Sequence, residues 1–291
     1  VAGILETGGT ILGTVPTKQM RTHEGRKLAC QNLVAHDLNK LIMIGNDWSM
    51  YGANLLHQEW GKCLKELQEE GLITHEQAAR NPTLSLICLP ASPDNVSCDT
   101  EYSIGSDTAL HRVLSAIDAI VSTATSHQRS FVVEIYGEHS GWLTLMSALS
   151  CGCDYIFIPE SPPMDGWETE MCTLLEKGRL LGRRCSLVLV AEGAKDRSGK
   201  PISSSYVREV LETKAGHEAR YTVLGELQRG GTPSPFDRIL ATRFGAKAVD
   251  MIMDPNFNKL EAYMIGLQGT NVLPVNLEAS LAKTMSVADA I

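Results

Sequence analysis

Short apolar runs alternate along the chain with longer segments in which apolar residues recur every three or four positions. The short runs indicate buried strands, and the longer segments indicate helices with one apolar face. The predicted strands are 1–5, 41–44, 86–89, 130–135, 155–158, 186–190, 220–224 and 262–265. The predicted helices are 26–38, 50–60, 108–124, 142–150, 168–181, 207–214 and 235–253, with a terminal helix after them and a weaker helical pattern over 64–79 that breaks at Gly71. Strands that alternate with such helices predict an α/β protein of mostly parallel sheet with helices on both faces.

The composition predicts a large buried core and excludes some classes of function. The chain has 291 residues, of which 43% are hydrophobic and 21% charged, enough for one large domain or two moderate ones. Its 26 Lys and Arg against 34 Asp and Glu give a net charge of -8. Non-specific nucleic-acid binding is therefore disfavoured, because it depends on many phosphate contacts. No apolar run approaches the roughly 20 residues that span a bilayer, and no secretory signal is recognisable, so we expect a cytoplasmic protein without a membrane partner.

The eight cysteines form no CxxC pair, and most lie in apolar or helical contexts. Cys151 and Cys153 flank one glycine and are compatible with metal ligation or with buried thiols. A metal site normally needs a second Cys or His pair at suitable spacing, which the sequence does not supply. Reduced thiols are the expectation for all eight.

The segment around Asp94 is the first candidate for chemistry. The apolar run that precedes it stops at Pro90, a polar turn with Asp94 and Asn95 follows, and a helical pattern begins near Asp107. Open α/β sheets place their chemistry just outside the carboxyl ends of the strands. Asp94 is therefore a candidate general base, and the alternative is an aspartate that forms an Asx-turn or caps a helix.

Four strand ends lead into glycine-containing loops that also carry an ionisable group. These groups are Asp47, Asp94, Glu192 and Arg229. Glycines let backbone N–H groups approach phosphate oxygens, and helix N-termini favour anions. Carboxylates beside such a loop suit Mg²⁺ shared with phosphate oxygens.

Three arginines offer fork-shaped donors for a sugar phosphate. They are Arg129, Arg220 and Arg229, and each is also compatible with a simple surface ion pair. Taken with the carboxylates, they predict phosphoryl transfer between a nucleotide and a phosphorylated sugar, in which a carboxylate takes the hydroxyl proton.

The sequence resembles the ATP-dependent 6-phosphofructokinases, in particular the N-terminal, catalytic half of the eukaryotic type. The resemblance covers almost the whole chain, and its motifs occur in the family's order. They are GGTILGT, SIGSDTAL, SHQRSFVVE, FIPESPP, VAEGA and LGELQRGGTPSPFDR. The activity this implies is ATP-dependent phosphorylation of fructose 6-phosphate at the 1-hydroxyl, with Mg²⁺ as cofactor and ATP as co-substrate.

The resemblance also implies roles for single residues. Asp94 corresponds to the base for the sugar hydroxyl, and Ser92 to a contact of the transferred phosphate. Gly45, Asp47 and Ser49 correspond to nucleotide-binding positions, and Asp47 also to the metal-associated aspartate.

The sugar-binding positions implied by the resemblance fall into two groups. Those within the chain are Tyr136, Gly137, Glu192 and Arg229, whereas Arg129 and Arg220 correspond to arginines that reach a sugar phosphate across a subunit boundary. A tetramer or larger homo- or hetero-oligomer is therefore expected. The fold implied has two packed lobes, with residues 1–105 and 228–291 binding nucleotide and residues 106–227 binding sugar phosphate.

Several positions depart from the family pattern, and the family's first nucleotide-binding glycine loop normally lies upstream of Val1. The departures are Pro16, Asn46, Trp48, Val96, Glu138 and Glu226. Trp48 replaces a glycine that lets backbone approach the nucleotide phosphates, and Glu138 replaces an arginine that neutralises the transferring phosphate. Losing one such donor costs ~10²–10³ in rate. The alternative hypothesis is therefore a degenerate, regulatory half that binds a sugar phosphate or bisphosphate, and the loop 100–105 resembles the effector-binding half equally well.

Overall fold

The computed structural model describes residues 3–15, 18–216, 218–257 and 259–290. Eight strands and nine α-helices lie within these ranges. The strands are β1 (Lys40–Gly45), β2 (Ser85–Pro90), β3 (Ser130–Ile135), β4 (Tyr155–Phe157), β5 (Ser186–Ala191), β6 (Ala219–Val223), β7 (Ala262–Gln268) and β8 (Asn271–Asn276). The helices are α1 (His23–Ala35), α2 (Asp47–Glu69), α3 (His75–Arg80), α4 (Ser106–His127), α5 (Trp142–Cys151), α6 (Trp167–Leu180), α7 (Ser204–Lys214), α8 (Pro235–Met253) and α9 (Leu277–Ala290). No helix of the described residues is long and apolar enough to cross a membrane.

The first sheet has the strand order β1-β2-β7-β8, in which only β8 is antiparallel to its neighbour. Side chains of β2 alternate between the two faces of this sheet. Leu86 and Cys88 pack with α2 and α9, whereas Ile87 and Leu89 pack with α8. Both faces of β2 are therefore buried, which explains its continuous apolar run.

The second sheet has the strand order β4-β5-β3-β6 and is entirely parallel. Val188 and Val190 of β5 face α6 and α7, and Leu187 and Leu189 face α4 and α5. The α/β fold class with mostly parallel sheet and helices on both faces is confirmed. All strands of the first sheet lie within residues 1–105 and 228–291, and all strands of the second lie within residues 106–227. The division into lobes and the ligand assigned to each lobe stay predictions.

Two predictions about strands were wrong or incomplete. Val1 and Ala2 of the predicted first strand lie outside the described residues, and residues 3–5 form no strand, with Leu5 57% exposed. Strand β8 was not predicted, because Pro274 argues against a strand interior. The structure accommodates Pro274 since β8 lies at the edge of the sheet, paired only with β7.

Helices that cover the two sheets contact each other where α4 meets α8. The ring of Tyr102 packs 4.9 Å from Phe236 of α8 and 5.6 Å from Trp142 of α5, measured between ring centroids. The carboxylate of Asp237, 2% exposed, accepts hydrogen bonds from the backbone of Gly105 at 2.9 Å and from the backbone and hydroxyl of Thr108 at 2.7 and 2.5 Å. Asp237 thus supplies, from another helix, the cap that the glycine at the start of α4 lacks.

We predict that Asp237→Ala lowers the free energy of unfolding by about 1–3 kcal/mol, because it removes the buried acceptor of three partly buried donors. Urea denaturation followed by circular dichroism measures this change. Asp250→Ala, at an exposed position of the same helix, is the matched control and should change stability by less than about 0.5 kcal/mol. Equal effects of the two substitutions would contradict the capping role.

Candidate functional site

The loop after β1 is organised by a helix cap rather than by glycine alone. The side chain of Asn46 accepts hydrogen bonds from the backbone N–H of Ser49 at 3.1 Å and from its hydroxyl at 2.9 Å. A Cβ on Gly45 would lie 2.8 Å from the Cβ of Ser49, so this position needs glycine for packing. Asp47 therefore begins α2, where the helix N-terminus favours its charge.

The loop after β2 fixes Asp94 through its neighbours. The backbone N–H of Asp94 donates to Ser92 Oγ at 3.2 Å. Asn95 has a left-handed φ of 52°, and its side chain donates to the carbonyl of Glu101 at 2.8 Å and accepts from the N–H of Ser103 at 2.7 Å. Asn95 therefore stabilises the turn of this loop, and the side chain of Asp94 is not needed for it.

The side chain of Asp94 is half-buried, and its carboxylate is only partly satisfied. Its Oδ1 has no hydrogen-bond partner among the described residues. Burial raises the pKa of Asp94, and the like charge of Asp47 raises it further. The positive charge of Arg229 opposes the increase most, and a hydrogen bond from Ser92 and the charge of His139 in its protonated form oppose it less. Since Arg229 follows β6 and Asp94 follows β2, the carboxyl ends of the two sheets face each other at this carboxylate.

Asp47 has similar electrostatics at the end of β1. Burial raises its pKa, while backbone hydrogen bonds at the start of α2 and the charge of His139 lower it. His139 therefore acts on both carboxylates, although the sequence analysis did not select it. Its only sequence signal is a titratable side chain within the glycine-bounded turn that follows β3.

Tyr136 and Arg229 contact each other directly. The guanidinium carbon of Arg229 lies 4.3 Å from the centroid of the Tyr136 ring, a cation–π contact that keeps the positive charge without an ion pair among the described residues. Burial and a hydrogen bond to Glu226 raise the pKa of Tyr136. The N–H of Tyr136 also donates to Gln228 at 3.2 Å, which ties the turn after β3 to the segment after β6.

Gly137 and Gly193 permit a close crossing of two strand ends. Gly137 has a φ of 145°, and a Cβ there would lie 2.1 Å from the carbonyl oxygen of Ser140. A Cβ on Gly193 would lie 2.0 Å from the carbonyl oxygen of Glu138. The crossing leaves the side chain of Glu192 exposed near Tyr136, whose pKa its charge raises.

Arg129 and Arg220 lie at the amino ends of the strands of the second sheet, opposite the carboxyl ends that carry Arg229. Arg129 precedes β3 and Arg220 is at the start of β6, and both pair with Glu218, at 2.9 and 3.1 Å. Within the described part of this chain, they therefore do not join Arg229 beside Asp94. The strands are parallel and these residues occupy opposite strand ends, so the three arginines do not meet within one chain. The expected role of Arg129 and Arg220 across a subunit boundary stays a prediction.

The departures from the family pattern differ in how they affect the site. Trp48 is 50% exposed, so its indole projects from the start of α2. Glu138 lies 4.0 Å from His139, measured from Oε2 to Nε2, and its side chain is 76% exposed. Glu226 accepts from Tyr136, and Pro16 lies outside the described residues.

The fold and the site define an α/β protein with two mainly parallel sheets. At the carboxyl ends of these sheets, the described residues bring together the half-buried carboxylates of Asp47 and Asp94, the imidazole of His139 and the guanidinium of Arg229. The family model for phosphofructokinase matches residues 1–252. The chain belongs to the phosphofructokinase family.

Relatives and a solved structure agree with this membership. The ATP-dependent 6-phosphofructokinase of Dictyostelium discoideum is 50% identical over 100% of this chain and 35% of its own length. The human liver-type ATP-dependent 6-phosphofructokinase is 45% identical over 100% of this chain and 37% of its own length. The structure of phosphofructokinase from Saccharomyces cerevisiae matches with a TM-score of 0.92 at 38% identity, covering 99% of this chain and 38% of that one. The chain thus spans little more than a third of the length of these relatives.

We predict that Asp94→Asn raises the melting temperature at pH 7. A raised pKa means that ionising Asp94 is less favourable in the folded than in the unfolded chain, so ionisation lowers the free energy of unfolding. This loss of stability is absent below the unfolded pKa of ~3.9 and develops as the pH rises through the folded pKa. The gain should therefore vanish towards pH 3.5.

Calorimetric scans from pH 3.5 to pH 8 measure this dependence, with exposed Asp118→Asn as the control. If Asp94 only formed an Asx-turn or capped a helix, asparagine would serve equally well and the melting temperature at pH 7 would not rise.

Proposed function

We propose that the chain carries the catalytic carboxylate and part of the sugar-phosphate site of an ATP-dependent 6-phosphofructokinase. The observation that carries this proposal is the half-buried Asp94 carboxylate, which has a raised pKa, a buried Oδ1 without a hydrogen-bond partner among the described residues, and the attraction of Arg229. The names of the most similar relatives support the reaction, which is phosphorylation of fructose 6-phosphate at its 1-hydroxyl.

In this proposal, Asp94 Oδ1 accepts the proton of the sugar hydroxyl as that oxygen attacks the transferring phosphoryl group. A carboxylate with a raised pKa is a stronger base, and an oxygen without a partner is ready to accept a proton. Ser92 holds the backbone of Asp94 and so positions its carboxylate. The role of Ser92 here is positioning, in addition to the phosphate contact that the sequence analysis expected.

The sugar phosphate would bind between Arg229, Tyr136, Gly137 and Glu192. The Tyr136 ring holds the guanidinium of Arg229 from one face, so that its N–H edges remain available for phosphate oxygens. The exposed carboxylate of Glu192 can accept hydrogen bonds from sugar hydroxyls.

The nucleotide and metal side of the site is proposed at Gly45, Asp47 and Ser49. Mg²⁺ prefers carboxylate and phosphate oxygens, and the Asp47 side chain fits it because no described side chain forms a hydrogen bond or ion pair with it. Bound there, the ion would neutralise charge on the phosphates of ATP.

Assembly into a tetramer or larger oligomer is also part of the proposal. Arg129 and Arg220 would then serve the sugar site of a neighbouring subunit, as the resemblance implies. Allosteric regulation and a cytoplasmic location stay predictions, which effector titration and cell fractionation test.

Charge reversal at Arg229 tests the sugar-phosphate site. We expect Arg229→Glu to weaken fructose 6-phosphate binding at least tenfold in isothermal titration calorimetry, because an attraction for the phosphate becomes a repulsion. The control is Arg197→Glu, an exposed position in a surface turn, which should leave affinity unchanged. Unchanged affinity in Arg229→Glu would count against the site.

A single-turnover assay with ATP, Mg²⁺ and fructose 6-phosphate separates the two hypotheses of function. We expect the full protein to form fructose 1,6-bisphosphate and Asp94→Asn to reduce the rate by ~10²–10⁴, the contribution of a general base. Binding of fructose 2,6-bisphosphate without turnover would instead favour the regulatory hypothesis, to which Glu138 and Trp48 point. In that case Glu138→Arg should leave the chain inactive as well.

A further inference from the structure

The sequence motif Cys151-Gly-Cys153 has no part in the proposed function and lies away from the carboxyl ends of the strands. Cys151 is the last residue of α5, and Cys153 leads into β4. Both side chains are partly exposed and free. The described residues place no third His, Cys, Asp or Glu ligand beside them, so the structure does not support the metal alternative.

The backbone between the two cysteines has the geometry that a disulfide requires. Gly152 lies in the left-handed region, with φ 64° and ψ 45°, and its N–H donates to the carbonyl of Ala148 at 2.9 Å. This conformation is the mirror image of the right-handed helical one. With trans peptide bonds, the φ and ψ angles of Gly152 alone determine the distance between the Cα atoms of Cys151 and Cys153. That separation is therefore about 5.4 Å, as for helical residues two apart. Disulfides need Cα atoms roughly 4.4–6.8 Å apart and side chains that do not point away from each other. The separation meets the first condition, and the hydrogen bond between the two thiols meets the second.

The surroundings of the two thiols favour one of them as the attacking group. A hydrogen bond from Cys153 lowers the pKa of Cys151 to about 7, while burial opposes this change. The same contact and burial raise the pKa of Cys153. At neutral pH, Cys151 therefore carries a larger fraction of thiolate than an ordinary cysteine. Because a less basic thiolate is also a weaker nucleophile, its net gain in rate over an ordinary cysteine is only a few-fold.

The other cysteines lack this combination of pairing and access. Cys30 and Cys63 lie near each other, but both are 0% exposed and therefore inaccessible to a dissolved oxidant. Cys98 and Cys185 are partly exposed, and no described cysteine neighbours either of them in sequence at this spacing.

We propose that Cys151 and Cys153 are a redox modification site that closes reversibly to an intramolecular disulfide when it meets a small-molecule disulfide. This inference is independent of the proposed function. In proteins of reducing compartments, such bonds are transient and respond to oxidants.

The reaction with oxidised glutathione proceeds in two exchanges. The Cys151 thiolate attacks one sulfur of oxidised glutathione, the bond between the two glutathione sulfurs breaks, and one glutathione leaves as a thiolate. Cys153 then loses its proton to solvent and attacks the Cys151 sulfur, which expels the second glutathione. The protein dithiol loses two electrons and two protons, and one oxidised glutathione becomes two reduced molecules.

Peptide mass mapping tests the proposal on the folded chain after exposure to oxidised glutathione at pH 7 and quenching with acid. We expect the wild-type peptide that contains both cysteines to lose two hydrogens and to retain no glutathione. The Cys153→Ser variant should retain one glutathione on Cys151, because no resolving thiol remains. Cys98 and Cys185 serve as internal controls and should form mixed disulfides at most.

Two results would overturn the proposal. One is a wild-type peptide that keeps glutathione on Cys151, which would mean that the ring does not close. The other is a peptide that stays fully reduced after exposure to oxidised glutathione.

Discussion

The site depends on a carboxylate that the fold buries without satisfying it fully. Burial and the charge of Asp47 make ionised Asp94 unfavourable, and Arg229, His139 and Ser92 offset only part of that cost. A protein selected for stability alone would replace such a group or pair it. The part of the ionisation cost that is not offset raises the pKa of Asp94 and so makes it a stronger base. The loss of stability and the basicity needed for the proposed proton transfer therefore have the same physical cause.

Holding this carboxylate near Arg229 requires that the carboxyl ends of the two sheets keep a fixed position relative to each other. The buried Asp237 carboxylate contributes by accepting three hydrogen bonds from the start of α4 while belonging to α8. The aromatic contact of Tyr102 with Phe236 and Trp142 adds apolar packing at the same place. Packing between helices thus helps to hold the two sheets together, although none of these side chains belongs to the proposed site.

The sequence predicted the elements well wherever apolar periodicity was strong, since β3 and α8 have the predicted bounds. It failed at β8, where an edge strand tolerates Pro274, and at residues 3–5, whose apolar side chains find no neighbours to bury them. Asp94 was recognisable because it follows a buried strand. His139 was not, because its effect on Asp47 and Asp94 arises from the approach of two strand ends that are distant in sequence.

The position of Arg129 limits what a single chain can do. Arg129 precedes β3 and pairs with Glu218, whereas the phosphate site proposed beside Arg229 lies past the other end of the same sheet. The six residues of β3 separate the amino and carboxyl ends of the strands by about 20 Å. Two extended arginine side chains cannot bridge that distance. One phosphate therefore cannot contact both arginines of the same chain. If Arg129 binds a sugar phosphate, that phosphate must therefore be a different one from the phosphate beside Arg229, and it must compete with Glu218 for the guanidinium.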